Sequence, residues 1–91
     1  VGAGRMTLVD GEAKIGRMAV LEEWRGQGVG SLILKALLDE ARRYGAKRIF
    51  LHAQLAVQAF YERHGFKAKG DVFQEADMDH VLMEWEQTIV R

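Results

Sequence analysis

Two stretches of this 91-residue sequence hold residues whose types and spacing suit chemistry. The first is Met18-Ala-Val-Leu-Glu-Glu-Trp-Arg-Gly-Gln-Gly-Val-Gly30, which runs directly into the clearest helical pattern in the chain. A glycine-rich loop entering a helix makes an anion site. The first-turn N–H groups lack partners within the helix, and the helix dipole adds partial positive charge there. Glycine at 26, 28 and 30 lets the backbone approach a phosphate with no Cβ in the way. Arg25 can add a charge-assisted bond. The loop lacks the Gly-Lys-Ser/Thr ending of a P-loop and is not a full GxGxxG dinucleotide fingerprint. Its plainer reading is a tight turn that needs flexible residues. The second stretch is Phe60-Tyr61-Glu62-Arg63-His64-Gly65-Phe66. A tyrosine on a short helix can offer its hydroxyl to a cleft as a general acid, within hydrogen-bond reach of the atom it protonates. The plainer reading is three aromatic side chains packed in a core.

These stretches need elements to hold them. Residues 1–8 have strand character, and Asp10-Gly11 is a hairpin signal. Residues 13–21 alternate as a strand, with Ile15, Arg17 and Ala19 on one face and Met18 and Val20 on the other. After the loop at 25–30, Val29, Leu32, Ile33, Ala36, Leu37, Ala41 and Tyr44 fall at helical spacing. Asp39, Glu40, Arg42 and Arg43 form the solvent face of that helix, and Gly45 stands where it would end. Residues 48–53 read as a buried strand, 56–64 as a short helix closed by Gly65, and 66–73 and 81–86 as two final strands. The order is β-β-α-β-α-β-β, an α+β or α/β chain. Two of its connections are strand–helix–strand crossovers, which place strands in parallel.

Composition removes whole classes of function. Thirteen basic and thirteen acidic residues give zero formal net charge, a poor basis for binding nucleic acid. A hydrophobic content of 48% argues against disorder. No apolar run approaches the ~20 residues that span a bilayer, so no membrane partner is expected. Without cysteine there is no disulfide framework, thiolate metal site or cysteine nucleophile. Without proline, turns rely on the ten glycines. No signal peptide is visible, and a cytoplasmic location is expected. Val1 is not an initiator methionine, so the chain reads as processed or cut from something longer.

Taken together, Arg25-x-x-Gly28-x-Gly30 after a strand and Phe60-Tyr61-x-x-x-Gly65-Phe66 one crossover later resemble the GNAT superfamily of acyl-CoA-dependent N-acetyltransferases. The phrases VGAGR, IGRMAV, the AQ of LHAQ, FYERHGF and FQEADMDHVLM are most similar to the short bacterial ElaA/YjcF-like branch. There the last phrase usually reads FxEAGIxHxxM, so Asp77 and Met78 depart from it. The resemblance implies a mixed sheet with a central, splayed pair of parallel strands. Met18 and Val20 would offer backbone groups to the pantetheine arm of acetyl-CoA. Arg25, Gly26, Gln27, Gly28, Val29, Gly30 and Ser31 would wrap the coenzyme A pyrophosphate, and Gln54 would contact pantetheine. Tyr61 would protonate the departing thiolate. The amine of an acceptor, a small molecule or a peptide, attacks the thioester directly, and no metal is needed.

Against that family the chain reads as a single domain, 1–91, lacking the usual N-terminal strand and helices. An exposed sheet edge then favours a homodimer or strand exchange. The separations of His52, His64 and His80 match no short metal motif. His80 matches a histidine of the branch and would line the acceptor site; its plainer reading is a polar residue at a strand start. His52 has a base's pKa range or is simply buried. Arg17 matches an arginine of the branch, and Glu22 and Glu23 read as solvated loop charges. Three functions follow: an N-acetyltransferase, a truncated coenzyme A-binding module without activity, or a plain interaction domain with an accidental glycine loop. Coenzyme A binding separates the third from the others, and thioester cleavage separates the first two.

Overall fold

The structure, a computed structural model, describes residues 2–20 and 28–86, with the side chains of 4–16 and 28–86. Two compact units divide the chain, Val1–Ile49 and Phe50–Arg91. The elements in chain order are β1 (Gly2–Val9), β2 (Glu12–Val20), α1 (Val29–Arg43), β3 (Arg48–Gln54), a 3₁₀ turn (Leu55–Val57), α2 (Gln58–Glu62), β4 (Phe66–Glu75) and β5 (Met78–Trp85). That is the order expected from the sequence. The stretch 56–64, read as one helix, is a 3₁₀ turn followed by a five-residue α-helix.

In the first unit, β1 and β2 pair antiparallel around a two-residue turn, with Val9 opposite Glu12. Asp10 and Gly11 both take positive φ, 52° and 81°. This is the primed turn whose twist matches that of the strands. The Gly11 carbonyl accepts hydrogen bonds from the N–H groups of Lys47 (2.7 Å) and Arg48 (3.4 Å), so the turn is tied to the entry of β3. Helix α1 packs on β1 and β2. It buries Leu34, Leu38 and Ala41, while Ala13 and Ile15 of β2 are buried as well. The expected stripe is therefore displaced: Leu32 is 67% and Tyr44 62% exposed. The helix is apolar on more than one side, so spacing alone admits several stripes. Position 32 lies nearly opposite 34 on the helical wheel, and α1 ends before Tyr44.

In the second unit, β5 pairs antiparallel with β3 on one side and with β4 on the other. Strands β3 and β4 are consequently parallel to each other but separated by β5. Alternation sorts the side chains. Leu51 and Ala53 of β3 share a buried face with their register partners Met83 and Val81 of β5. Phe50, His52 and Gln54 lie on the opposite face, where His52 is opposite Leu82 and Gln54 opposite His80. Strand β4 carries an irregularity: four steps from Lys69 to Phe73 match two from Leu82 to His80. An even insertion leaves the facing unchanged, so Phe73 and Glu75 point to the same face as His52 and His80. Both final strands run further toward their turn than the sequence suggests, leaving only Ala76 and Asp77 between them. Among the described residues, no helix is long and apolar enough to cross a membrane.

Candidate active site

The predicted coenzyme residues of the first unit fall into three groups. Met18 and Val20 lie in β2, where the backbone alone is described, as it is for Arg17. Arg25, Gly26, Gln27, Glu22 and Glu23 lie outside the described residues. Gly28, Val29, Gly30 and Ser31 form the N-terminus of α1. Gly28 is its N-cap in the left-handed region, φ 79° and ψ 4°, and its carbonyl accepts the first helical bond, from the Leu32 N–H at 3.0 Å. Among the described residues, no side chain caps this end and no acidic residue stands in its first turn. The leading N–H groups of α1 thus combine with the positive end of the helix dipole, the features that hold an anion. A Cβ at Gly28 would meet nothing within 4 Å among the described residues, so the positive φ alone demands glycine.

Gln54 and Tyr61 belong to the second unit. Gln54 is the last residue of β3 and is exposed. Tyr61 is the buried residue of α2. Its ring packs edge-on against Phe60 (centroids 5.2 Å apart) and Phe66 (5.8 Å); Phe66 is buried and Phe60 half-buried. Burial pushes the Tyr61 phenol above its usual pKa. The exit from α2 is clamped. The His64 ring Nδ1 donates to the Phe60 carbonyl (3.0 Å), and Trp85 Nε1 donates to the His64 carbonyl (3.1 Å). His64 therefore closes a helix end.

The other two histidines meet a residue that the sequence reading passed over. Glu75, at the end of β4, faces both. Its Oε1 is 3.0 Å from His52 Nδ1, and its Oε2 is 3.8 Å from His80 Nε2. His80 Nδ1 lies 2.9 Å from the Met78 carbonyl. A carbonyl only accepts, so Nδ1 carries the hydrogen. The Phe73 ring stacks on His80 (6.0 Å, 27°) and meets His52 edge-on (5.1 Å, 78°). His80 is the one buried polar side chain among the described residues. Glu75 could have been found from the phrase FQEADMDH. Extending both strands to a two-residue turn puts positions 73, 75 and 80 on one face. No group of three described His, Asp or Glu side chains is arranged to hold a metal ion.

Comparison with known proteins follows from this geometry. The family model of the acetyltransferase (GNAT) domain matches residues 1–87. The uncharacterized N-acetyltransferase YjcF of Bacillus subtilis (strain 168) is 39% identical over 84 residues, which cover 91% of this chain and 60% of that protein. The crystal structure of an acyl-CoA N-acyltransferase from Pseudomonas aeruginosa superposes with a TM-score of 0.82 at 31% identity, covering 93% of this chain and 60% of the other. Escherichia coli ElaA superposes with a TM-score of 0.84 at 29% identity, covering 94% and 60%. The chain thus spans 60% of the length of each of these three proteins.

Proposed function

The chain belongs to the acetyltransferase (GNAT) family, and on that premise we propose that it is the coenzyme-holding part of an N-acetyltransferase that moves an acetyl group from acetyl-CoA to an amine. The observation that carries this reading is the N-terminus of α1, which offers its N–H groups, with no side-chain cap and no acidic residue in the first turn among the described residues. There Val29, Gly30 and Ser31 bind the pyrophosphate of acetyl-CoA, with Arg25, Gly26, Gln27 and Gly28 completing the loop. Backbone groups at Met18 and Val20 pair with the pantetheine arm, and Gln54 bonds to it. A backbone N–H on β2 polarises the thioester carbonyl as negative charge develops on its oxygen. The amine lone pair forms the N–C bond, the C–S pair leaves with sulfur, and Tyr61 gives that sulfur its proton. A phenol is protonated at neutral pH, and burial raises the pKa of this one further.

Calorimetry with coenzyme A tests the loop. Gly28→Val forces a branched side chain into φ 79° at the cradle, and coenzyme binding is expected to be lost. Unchanged affinity in a folded variant overturns the assignment. Tyr61→Phe keeps the ring packing and removes the hydroxyl. It is expected to lower turnover by about 10²–10⁴-fold, the usual contribution of a general acid, with coenzyme affinity little changed. Coenzyme binding without thioester cleavage in the presence of any amine would return the chain to a binding module. A homodimer or strand exchange belongs to the same reading, and a folded monomer in light scattering at low protein concentration would remove it.

A further inference from the structure

We infer that His52 is the catalytic base that takes a proton from the acceptor amine, with Glu75 as the residue that positions it; this rests on the acetyltransferase reading and supplies the base which that reading lacks. Three observations carry it. First, Glu75 fixes which ring nitrogen exchanges a proton. His52 Nδ1 lies 3.0 Å from Glu75 Oε1. An ionised carboxylate only accepts, so Nδ1 carries a hydrogen whether the ring is neutral or charged. The proton that the ring gains and loses then sits on Nε2. Among the described residues, His52 Nε2 makes no hydrogen bond. Glu75 has interactions beyond the two imidazoles, and nothing is asked of it here except to hold this ring.

Second, the ring is sheltered without being closed off. Phe73 meets it edge-on at 5.1 Å, and Phe50 lies tilted to it at 6.2 Å between centroids. The His52 side chain is 27% exposed, against 6% for His80. Packing and the hydrogen bond to Glu75 hold the ring in one orientation, and its exposed part leaves an approach for a substrate. A base must lie within hydrogen-bond reach of the proton it takes, and holding it there removes an entropic cost from the reaction. Third, alternation puts His52 on one face of β3 with Gln54, which the acetyltransferase reading gives to the pantetheine arm. Two positions along a strand are about 6.6 Å, so the ring stands beside the path of the thioester in that reading. Lys67, Lys69, His80 and Glu84 share this face. Of the charged groups described on it, Glu75 is the one hydrogen-bonded to the His52 ring.

In this arrangement the acceptor gives up two protons over the whole reaction. As an ammonium it passes the first to His52 Nε2, which returns it to solvent before the next turnover. That frees the lone pair that forms the N–C bond. The second proton leaves the nitrogen as the C–S bond breaks, and replaces the one that Tyr61 gives to sulfur.

The test uses the full chain, with ¹⁵N-labelled histidine for spectra and acetyl-CoA with n-butylamine or triglycine for turnover. The neutral His52 ring is expected to carry its hydrogen on Nδ1, and Glu75→Ala to move it to Nε2. His52→Ala should lower kcat by about 10²–10⁴-fold, the usual contribution of a general base, with coenzyme A affinity unchanged, and added imidazole should restore part of the loss. Glu75→Ala should lower kcat by about 10–100-fold, the usual effect of losing a residue that orients a histidine. Glu75→Gln, which keeps an acceptor oxygen, should lose less. A wild-type neutral ring with its hydrogen on Nε2 overturns the assignment whatever the turnover. Unchanged turnover in His52→Ala, or a loss that imidazole does not restore, overturns the base and leaves the acetyltransferase reading standing. A wild-type chain that acetylates neither amine overturns the base together with that reading. If His52→Ala does not fold, the wild-type ring spectra decide alone.

Discussion

At the end of α1 the chain turns through Gly45, φ +74°, and at the end of α2 it turns through Gly65, φ +93°. The first turn is a complete Schellman motif. The Ala46 N–H bonds to the Ala41 carbonyl and the Gly45 N–H to the Arg42 carbonyl, each at 3.0 Å. A Cβ on Gly45 would meet nothing within 4 Å, so that glycine serves backbone conformation alone. At Gly65 a Cβ would sit 2.9 Å from Trp85 Nε1 and 3.2 Å from its Cδ1. The indole is held there by its bond to the His64 carbonyl, and the Gly65 carbonyl accepts from the Glu86 N–H. A left-handed glycine thus ends a helix in each unit, and in the second it also seats the end of β5. The difference teaches that the glycine of FYERHGF is a packing residue for the β3–β5–β4 sheet.

The largest expected effect comes from breaking this pair. Gly45→Ala costs the left-handed penalty alone, about 1–2 kcal/mol. Gly65→Ala adds displacement of the Trp85 indole, a further ~1–3 kcal/mol by the usual cost of overpacking. Urea denaturation of both variants checks this, and equal losses would show that Trp85 yields freely.

The two hairpins offer a second, smaller comparison. Asp10-Gly11 joins β1 and β2, and Ala76-Asp77 joins β4 and β5. Both turn residues take positive φ in each case, at 51° and 60° for Ala76 and Asp77. The second turn therefore adopts the left-handed region with no glycine. A Cβ on Gly11 would find only ordinary contacts with Lys47, at 3.7 Å or more. Gly11→Ala is expected to destabilise by about 1–2 kcal/mol. Asp77→Gly relieves similar strain, but frees the unfolded chain by about 0.4–1 kcal/mol. A net gain of about 0.5 kcal/mol is expected from these opposed terms. A shift of the thermal midpoint downward in Asp77→Gly would show that Asp77 makes a compensating bond.

These turns also explain what was legible in the sequence. Asp10-Gly11, the Gly45 stop and the Gly65 stop were readable because each local signal agrees with the local structure. The element order followed from them. Ala76-Asp77 carries no glycine, and carboxylates stand at 75, 77 and 79, residues poor in strand propensity. Strands β4 and β5 were accordingly cut short, and Glu75 fell outside any element. With it went the face that joins Glu75 to His52 and His80, since a strand's facing is fixed only once its register is known. The buried stripe of α1 was misplaced for a related reason: an apolar surface wider than one stripe does not say which side the sheet takes. Tyr61 was legible as an aromatic on a short helix, while its burial became visible only with the packing of Phe60 and Phe66.

The smallest expected effect concerns two exposed ion pairs, one in each unit. Glu40 and Arg43 are one turn apart on α1, 3.4 Å between charged atoms. Lys69 and Glu86 lie 2.8 Å apart and join β4 to the residue after β5, far apart in sequence. The Lys69 hydrogen bond and charge lower the Glu86 pKa, and Glu86 raises that of Lys69 in the same way. The signs follow from linkage. Glu86 is depressed, so its contribution is present above the carboxylate's unfolded pKa and is lost as pH falls through the lower folded value. Lys69 is raised, so its contribution is present below the lysine's unfolded pKa and is lost as pH rises through the higher folded value. Between these limits the pair adds a flat increment. Both groups face solvent, so that increment is small and screened by salt. Thermal midpoints of wild type and Glu86→Gln, measured across pH at low and high ionic strength, should differ most on the plateau at low salt. They should converge toward acid pH. Glu40→Gln should move the midpoint less, because α1 already holds Glu40 and Arg43 together through its own backbone. A Glu86→Gln effect that survives high salt would mean that the side chain acts by packing beside Trp85 rather than by charge.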